Sequence, residues 1–267
     1  MRQLLLLTLG PAIGACAGAS VPPPPTALNL TGPVVPLAAP VEMPRQGWGP
    51  FARFCNHMIV EAEPPLQAPS RTARSCIAMR AEPLGGGSWR VTAYPAGGSA
   101  EALNISMVRR ADGTVSDLVP GGSALRQASE AERRELDQYM RDLVSGAGSS
   151  RRTLTQGSTF TSTARLPPGF TGTLTATCTV QGTAGLAGRQ VIVADCSGAT
   201  PTSMAPNRDG VRFRGEVSMR GPAAIDVESG VIAAMVTTMR LAGVFSSDVT
   251  GRSANGAFRA RVAGGFE

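Results

Sequence analysis

The chain of 267 residues reads as mainly β, built from antiparallel meander sheets, with one amphipathic helix near residues 130–144. A curved half-barrel is one form such sheets could take. Three observations predict this class. In Phe170–Val180, one side carries Phe170, Leu174, Ala176, Cys178 and Val180, and the other carries Thr171, Thr173, Thr175, Thr177 and Thr179. Period-two alternation of that length belongs to a strand with one face in a core and one in water. Val211, Phe213, Val217 and Met219 alternate in the same way with Arg212, Arg214, Glu216 and Arg220. Finally, turn chemistry punctuates such runs at Gly85-Gly86-Gly87, Ala111-Asp112-Gly113 and Asp226-Val227-Glu228-Ser229-Gly230. A hydrophobic content of 42% allows a core, and an aromatic content of 4% keeps it light.

The first residues, MRQLLLLTLGPAIGACAGAS, have the layout of an export signal. Arg2 supplies the positive start, and Leu4–Leu9 form an apolar run far shorter than the roughly 20 residues a membrane-spanning helix needs. Ile13-Gly14-Ala15-Cys16 resembles the lipobox of bacterial lipoproteins, with Ile13 where leucine is commonest. That resemblance implies a signal peptide over residues 1–15 and a Cys16 thiol carrying diacylglycerol. It further implies acylation of the new amine, for instance by palmitate. Ala17 rather than Asp after the cysteine implies the periplasmic side of the outer membrane. Cleavage after Ala17-Gly18-Ala19 is the rival, and would release a secreted or soluble periplasmic protein.

Residues 16–49 read as a proline-rich tether. Pro22–Pro25 force extended backbone, and Pro33, Pro36, Pro40 and Pro44 block regular hydrogen bonding. A β-rich domain over residues 50–267 follows, either as one unit or as two lobes, 50–125 and 151–267, joined by the helix. Phe54–Ala62, Ser75–Ala81, Trp89–Tyr94, Leu103–Arg109 and Thr114–Val119 are its first strands. The helix is predicted from the capping box Ser129-Glu130-Ala131-Glu132 and the stripe Leu136, Tyr139, Met140, Leu143. Beyond it, Phe170–Val180, the run from Val211, Val231–Leu241 and the stretch around Phe258, Ala260 and Val262 complete the meander.

Gly188-Arg189-Gln190-Val191-Ile192-Val193 and the segment Asp226–Gly230 resemble parts of uncharacterised β-rich envelope proteins and lipoproteins of bacteria. The likeness covers about 90 residues, implies a curved antiparallel sheet, and brings no catalytic residues with it.

Five cysteines are an odd number, and assigning Cys16 to lipid leaves four. In an oxidising compartment these favour bridges. Cys178 and Cys196 flank a hairpin centred near Ala187, and Cys55 and Cys76 flank another turn region. The predicted pairing is therefore Cys55–Cys76 and Cys178–Cys196. His57 is the lone histidine, on the same strand face as Cys55, but a cysteine held in a disulfide is no nucleophile. Metal, cofactor and phosphate-loop signatures are missing: the chain has no Cys-x-x-Cys, Gly-x-Ser-x-Gly, Gly-Lys-Ser/Thr or His-Glu-x-x-His. Hydrolysis by paired carboxylates needs acids that meet only in three dimensions, and Asp195 has no assigned part.

Charge adds one further expectation. The net charge is +6 and all 25 basic residues are arginine, spread along the chain rather than clustered. With so few aromatics, nucleic-acid binding is disfavoured. Arg212, Arg214, Arg220, Arg259 and Arg261 alternate with apolar residues, so neighbouring strands would place them on one face able to hold anionic lipid, lipopolysaccharide or glycan. The functional expectation is a non-enzymatic envelope lipoprotein that binds a hydrophobic or anionic envelope component or a protein partner. A structural or assembly factor and an envelope-polymer hydrolase are the alternatives.

The anchor is directly testable. Each buried lipid methylene contributes about 0.8 kcal/mol, so several acyl chains give stable attachment. Cys16→Ser is expected to shift the protein from the membrane pellet to the soluble fraction with its β domain still folded. A wild-type protein that is itself soluble, with Ser20 at its N-terminus, would show ordinary cleavage instead.

Overall fold

The computed structural model describes residues 23–43, 53–64, 66, 69–96, 104–110, 114–123, 129–130, 133–134, 152–166, 169–206 and 210–266. Fourteen strands lie among them. The first two are β1 (Thr31–Val35) and β2 (Val41–Met43). The run β3 (Arg53–Glu63), β4 (Arg71–Gly85), β5 (Ser88–Pro95), β6 (Asn104–Arg109) and β7 (Val115–Gly121) follows. Next come β8 (Arg152–Leu154) and β9 (Thr159–Arg165). The last five are β10 (Thr173–Leu186), β11 (Arg189–Met204), β12 (Val211–Asp226), β13 (Ile232–Ser247) and β14 (Ser253–Phe266).

Twelve strands form one antiparallel sheet that stays open instead of closing into a barrel. Its order is β1-β10-β11-β12-β13-β14-β3-β4-β5-β6-β7, with β9 also on β10. Every contiguous step from β10 to β14 and from β3 to β7 is a hairpin, so the meander is as expected. The two-lobe option is corrected. β14 pairs with β3 from Ala257 opposite Glu63 to Phe266 opposite Phe54, which fuses the two strand runs into a single sheet. The expected helix contributes only Glu130, Arg133 and Arg134 to the described helical residues, and its apolar stripe lies outside them.

Alternation in β10 is as read from the sequence. Leu174, Ala176, Cys178 and Val180 are buried, while Thr173, Thr175 and Thr177 are exposed. Pairing register then carries that face across the sheet, and side chains of even-numbered residues from Arg212 to Arg220 on β12 and from Thr238 to Ser246 on β13 share the face opposite Phe213 and Val217.

The tether expectation is corrected for residues 24–43, which belong to the fold. β1 pairs with β10 along its edge, and β2 pairs with β8 as a separate two-stranded sheet. Leu28 and Leu30 pack against Val191, Val193, Ala224 and Ala233 on one face of the large sheet. Leu37, Val41 and Met43 pack against Val180, Ile192 and Ile225 on the other. The chain thus wraps around the β10 edge. Pro33 is compatible with an edge strand, which does not need every N–H, so proline richness concealed this element. Gly182 makes the approach feasible, because a Cβ there would sit 2.2 Å from the Val35 carbonyl oxygen. Backbone proximity of the same kind occurs at Gly215, where a Cβ would meet Ala242 O at 2.1 Å and the Phe213 ring at 2.7 Å.

Both predicted disulfides are present: Cys55–Cys76 and Cys178–Cys196. In each, the two cysteines are direct cross-strand partners. Closing loops of this size restricts the unfolded chain by roughly 3 kcal/mol apiece in the chain-entropy account.

The β10–β11 turn holds Ala187 at φ 49° and Gly188 at φ 77°. Two successive positive φ angles are those of the tight hairpin turn that favours Asn-Gly, and alanine there is strained by about 1 kcal/mol. Ala187→Asn is expected to raise unfolding stability by about 0.5–1 kcal/mol in urea titrations, whereas Ala187→Val is expected to lower it. Equal stability of all three proteins would contradict this turn geometry.

Candidate functional site

Strand alternation and register assemble the arginine face from separate segments of sequence. On β12, Arg212, Arg214, Glu216, Ser218 and Arg220 point away from buried Phe213 and Val217. The neighbouring strand aligns Arg240 with Ser218 and Thr238 with Arg220. β14 then places Arg259 opposite Arg240 and Arg261 opposite Thr238. On β3, Glu61 faces Arg259 and Ile59 faces Arg261. All five sequence-predicted arginines therefore share one surface, joined by Arg240.

Acidic partners neutralise part of it. Arg240 and Arg259 each lie 2.9 Å from Glu63, and Arg212 lies 2.8 Å from Asp248. The hydrogen bond from Arg240, then the charges of Arg240 and Arg259, hold the Glu63 carboxyl below its ordinary range despite some burial. Among the described residues, Arg214, Arg220 and Arg261 have no ion pair. Arg220 and Arg261 stand in one cross-strand row with Thr238 between them, two strand spacings or about 10 Å apart. Sequence reasoning missed Arg240, Thr238 and Glu63. The alternation of Thr238, Arg240 and Ala242 with Met239 and Leu241 was a signal for the first two; Glu63 had none.

The opposite face is apolar. Phe170, Phe213, Phe245 and Phe258 form a row of ring contacts with centroids 6.3, 4.8 and 5.6 Å apart. Met219, Met239 and Leu241 flank it and are partly buried against Leu166, Leu174 and Val217.

The residues considered for catalysis take other positions. Cys55 is bonded to Cys76, and His57 sits half-buried opposite Arg74 in the β3–β4 ladder. Asp195 is exposed on the arginine face, diagonal to Arg220 through the Ser197–Arg220 register. Among the described residues no cluster of three or more His, Cys, Asp or Glu side chains could hold a metal. No described helix is long and apolar enough to cross a membrane, and Cys16 lies outside the described residues.

One fully buried carboxylate, Asp226, has a structural explanation. Arg189 donates to it from Nε at 2.7 Å and from its terminal nitrogen at 2.9 Å. The Ser229 amide at 2.8 Å and the Ser229 hydroxyl complete its shell. Arg189 also reaches Glu228 at 2.8 Å. The segments Gly188–Val193 and Asp226–Gly230 thus meet in one ion pair. Burial pushes the Asp226 carboxyl up, but hydrogen bonds from Arg189 and Ser229 and the Arg189 charge outweigh it and keep it below the usual range. Glu63 and Asp226 are both shifted opposite to the direction a general acid requires.

No protein-family model, no curated protein and no solved structure matches the chain.

Asp226→Asn is expected to cost about 3 kcal/mol, toward the lower end for a broken buried pair because Arg189 retains Glu228. A carboxyl with a depressed folded pKa stabilises fully above its unfolded value of about 3.9 and loses that contribution as pH falls through the folded value. Denaturant midpoints followed from about pH 5 downward should therefore fall more steeply in the wild type than in the variant. Parallel curves would remove this pair from the acid response.

Proposed function

We propose that this is a non-enzymatic envelope lipoprotein, anchored through Cys16 at the periplasmic side of the outer membrane, that binds an anionic envelope component on its arginine face. The observation that carries this reading is the gathering of Arg212, Arg214 and Arg220 from β12 and Arg259 and Arg261 from β14 onto one surface, across the intervening β13. Acids neutralise Arg212 and Arg259, so the charge available to a ligand resides on Arg214, Arg220 and Arg261. Guanidinium groups form two-pronged bonds to phosphate and carboxylate, and remain charged at every physiological pH. Neither binding nor neutralisation of this kind needs a nucleophile, a metal or a cofactor.

A second reading concerns the other face. The phenylalanine row with Met219, Met239 and Leu241 is an apolar surface that could receive a hydrophobic component or a protein partner. Loss of binding to an apolar probe in Met239→Glu, with anionic binding intact, would favour that assignment.

Sedimentation with vesicles tests the first reading. The unacylated full chain, made as Cys16→Ser, is expected to pellet with phosphatidylcholine vesicles containing phosphatidylglycerol and to remain in solution with phosphatidylcholine alone. Salt near 1 M, where charges are screened beyond about 3 Å, should release it. Equal binding to both vesicle types would overturn an electrostatic role for the arginines.

A further inference from the structure

We infer that the arginine face lies against the lipid phosphate layer of the membrane that holds the anchor, and that the row Arg220–Thr238–Arg261 is its phosphate site. This rests on the anionic-binding reading above and gives it a location, an orientation and a ligand class. Two independent observations lead to it.

The first is where the N-terminal segment joins the sheet. Leu28 and Leu30 pack on Val191, Val193 and Ala224, which lie on the arginine side of β11 and β12. Val193 pairs with Ala224, Asp195 with Pro222, and Ser197 with Arg220, so the Leu28–Leu30 contact lies two ladder rows from Arg220 on the same surface. Only after crossing the β10 edge as β1 does the chain reach the other face with Leu37 and Met43. Cys16 precedes Leu28 by 12 residues, which span about 40 Å at full extension. The first leucines of the described chain to pack on the sheet, 12 and 14 residues after the proposed anchor, therefore lie on the arginine side. A lipid chain combined with a basic patch is a pairing that gives stable membrane association where a single chain does not.

The second observation is the distribution of uncompensated charge. Arg240 and Arg259 share Glu63, and Arg212 is held by Asp248. Arg220 and Arg261 have no such partner among the described residues and flank the Thr238 hydroxyl in one register row. Two guanidinium forks about 10 Å apart at the backbone, with a hydroxyl donor between them, can converge on one phosphate group. Serine and threonine extend the row, with Ser197 opposite Arg220 and Thr177 opposite Ser197. The nearest acids are Asp195, diagonal to Arg220, and Glu61, diagonal to Arg261, and neither forms an ion pair among the described residues. They reduce the field at the row, so removing their charge should tighten binding.

The test uses the unacylated Cys16→Ser chain, phosphatidylcholine vesicles with and without phosphatidylglycerol, and inorganic phosphate as a competitor. Arg220→Gln/Arg261→Gln is expected to weaken vesicle binding roughly tenfold or more. Thr238→Val, which changes no charge, should weaken it severalfold. Asp195→Asn/Glu61→Gln should strengthen it. Arg80→Gln/Arg90→Gln removes the same charge from exposed positions on β4 and β5 and is expected to change binding less than about threefold. Strand circular dichroism verifies folding for each variant, and Thr238→Val keeps the row testable if the arginine double variant fails to fold. Millimolar phosphate that displaces the protein from vesicles would identify a free phosphate site and overturn the membrane assignment. Equal losses in the two arginine double variants, or no loss in Thr238→Val, would overturn the row while leaving the anionic-binding reading intact. A parent chain that binds no anionic vesicle would overturn that reading itself.

Discussion

The architecture depends on the pairing of β14 with β3. Without it the molecule would be two meanders, each with an open edge. With it the last strand of one run supplies the hydrogen-bonding partner of the first strand of the other, from Ala257 opposite Glu63 to Phe266 opposite Phe54. Edge strands carry rows of unpaired N–H and C=O groups, and joining two edges satisfies both at once. The same ladder sets which side chains share a surface. It brings Glu63 on β3 beside Arg240 on β13 and Arg259 on β14, and so determines which arginines of that face remain uncompensated.

The other end of the sheet is closed by a different device. The outer edge of β10 is divided between β9, which pairs over Thr173–Thr179, and β1, which pairs near Thr183 and Gly185. A register shift between Val180 and Gly182 separates the two zones. That shift also turns the side chains: Val180 packs with Ile192 and Met43, while Ala184 packs with Val191 and Leu30 on the reverse face. One extra residue in a strand reverses its alternation, which lets a single chain segment bury apolar groups on both sides of the same sheet. The Arg189–Asp226 pair stands at this end too, tying the β10–β11 hairpin to the β12–β13 turn. A buried carboxylate is tolerated there because two guanidinium nitrogens, an amide and a hydroxyl all donate to it.

The two broad faces have distinct chemistry. One presents arginine, threonine and serine, and the other presents phenylalanine and methionine. Such segregation follows from period-two alternation held in register over five long strands, since one apolar strand face aligns with the next. The arginine face receives the Leu28–Leu30 segment, the portion of the described chain nearest Cys16 in sequence among those packed on the sheet. The Leu28–Leu30 segment and the uncompensated arginines thus lie on the same side of the sheet.

Much of this was legible in the amino-acid order. Alternation identified β10, β12 and β14, because a half-buried strand must place apolar groups at every second position. Turn chemistry at Gly85–Gly87 and Asp226–Gly230 located hairpins, and symmetric placement about Ala187 identified Cys178 and Cys196 as partners. Local rules suffice for these because strand and turn geometry depend on near neighbours in sequence. The docking of residues 28–43 was hidden, since an edge strand needs few of its own hydrogen bonds and Pro33 therefore reads as tether. The union of both meanders, the Arg189–Asp226 pair and the neutralisation of Arg240 and Arg259 by Glu63 were decided by tertiary structure alone. Each joins residues from 37 to 212 positions apart, and no periodicity or capping rule acts over such distances. Only the register of the assembled sheet brings them within bonding range.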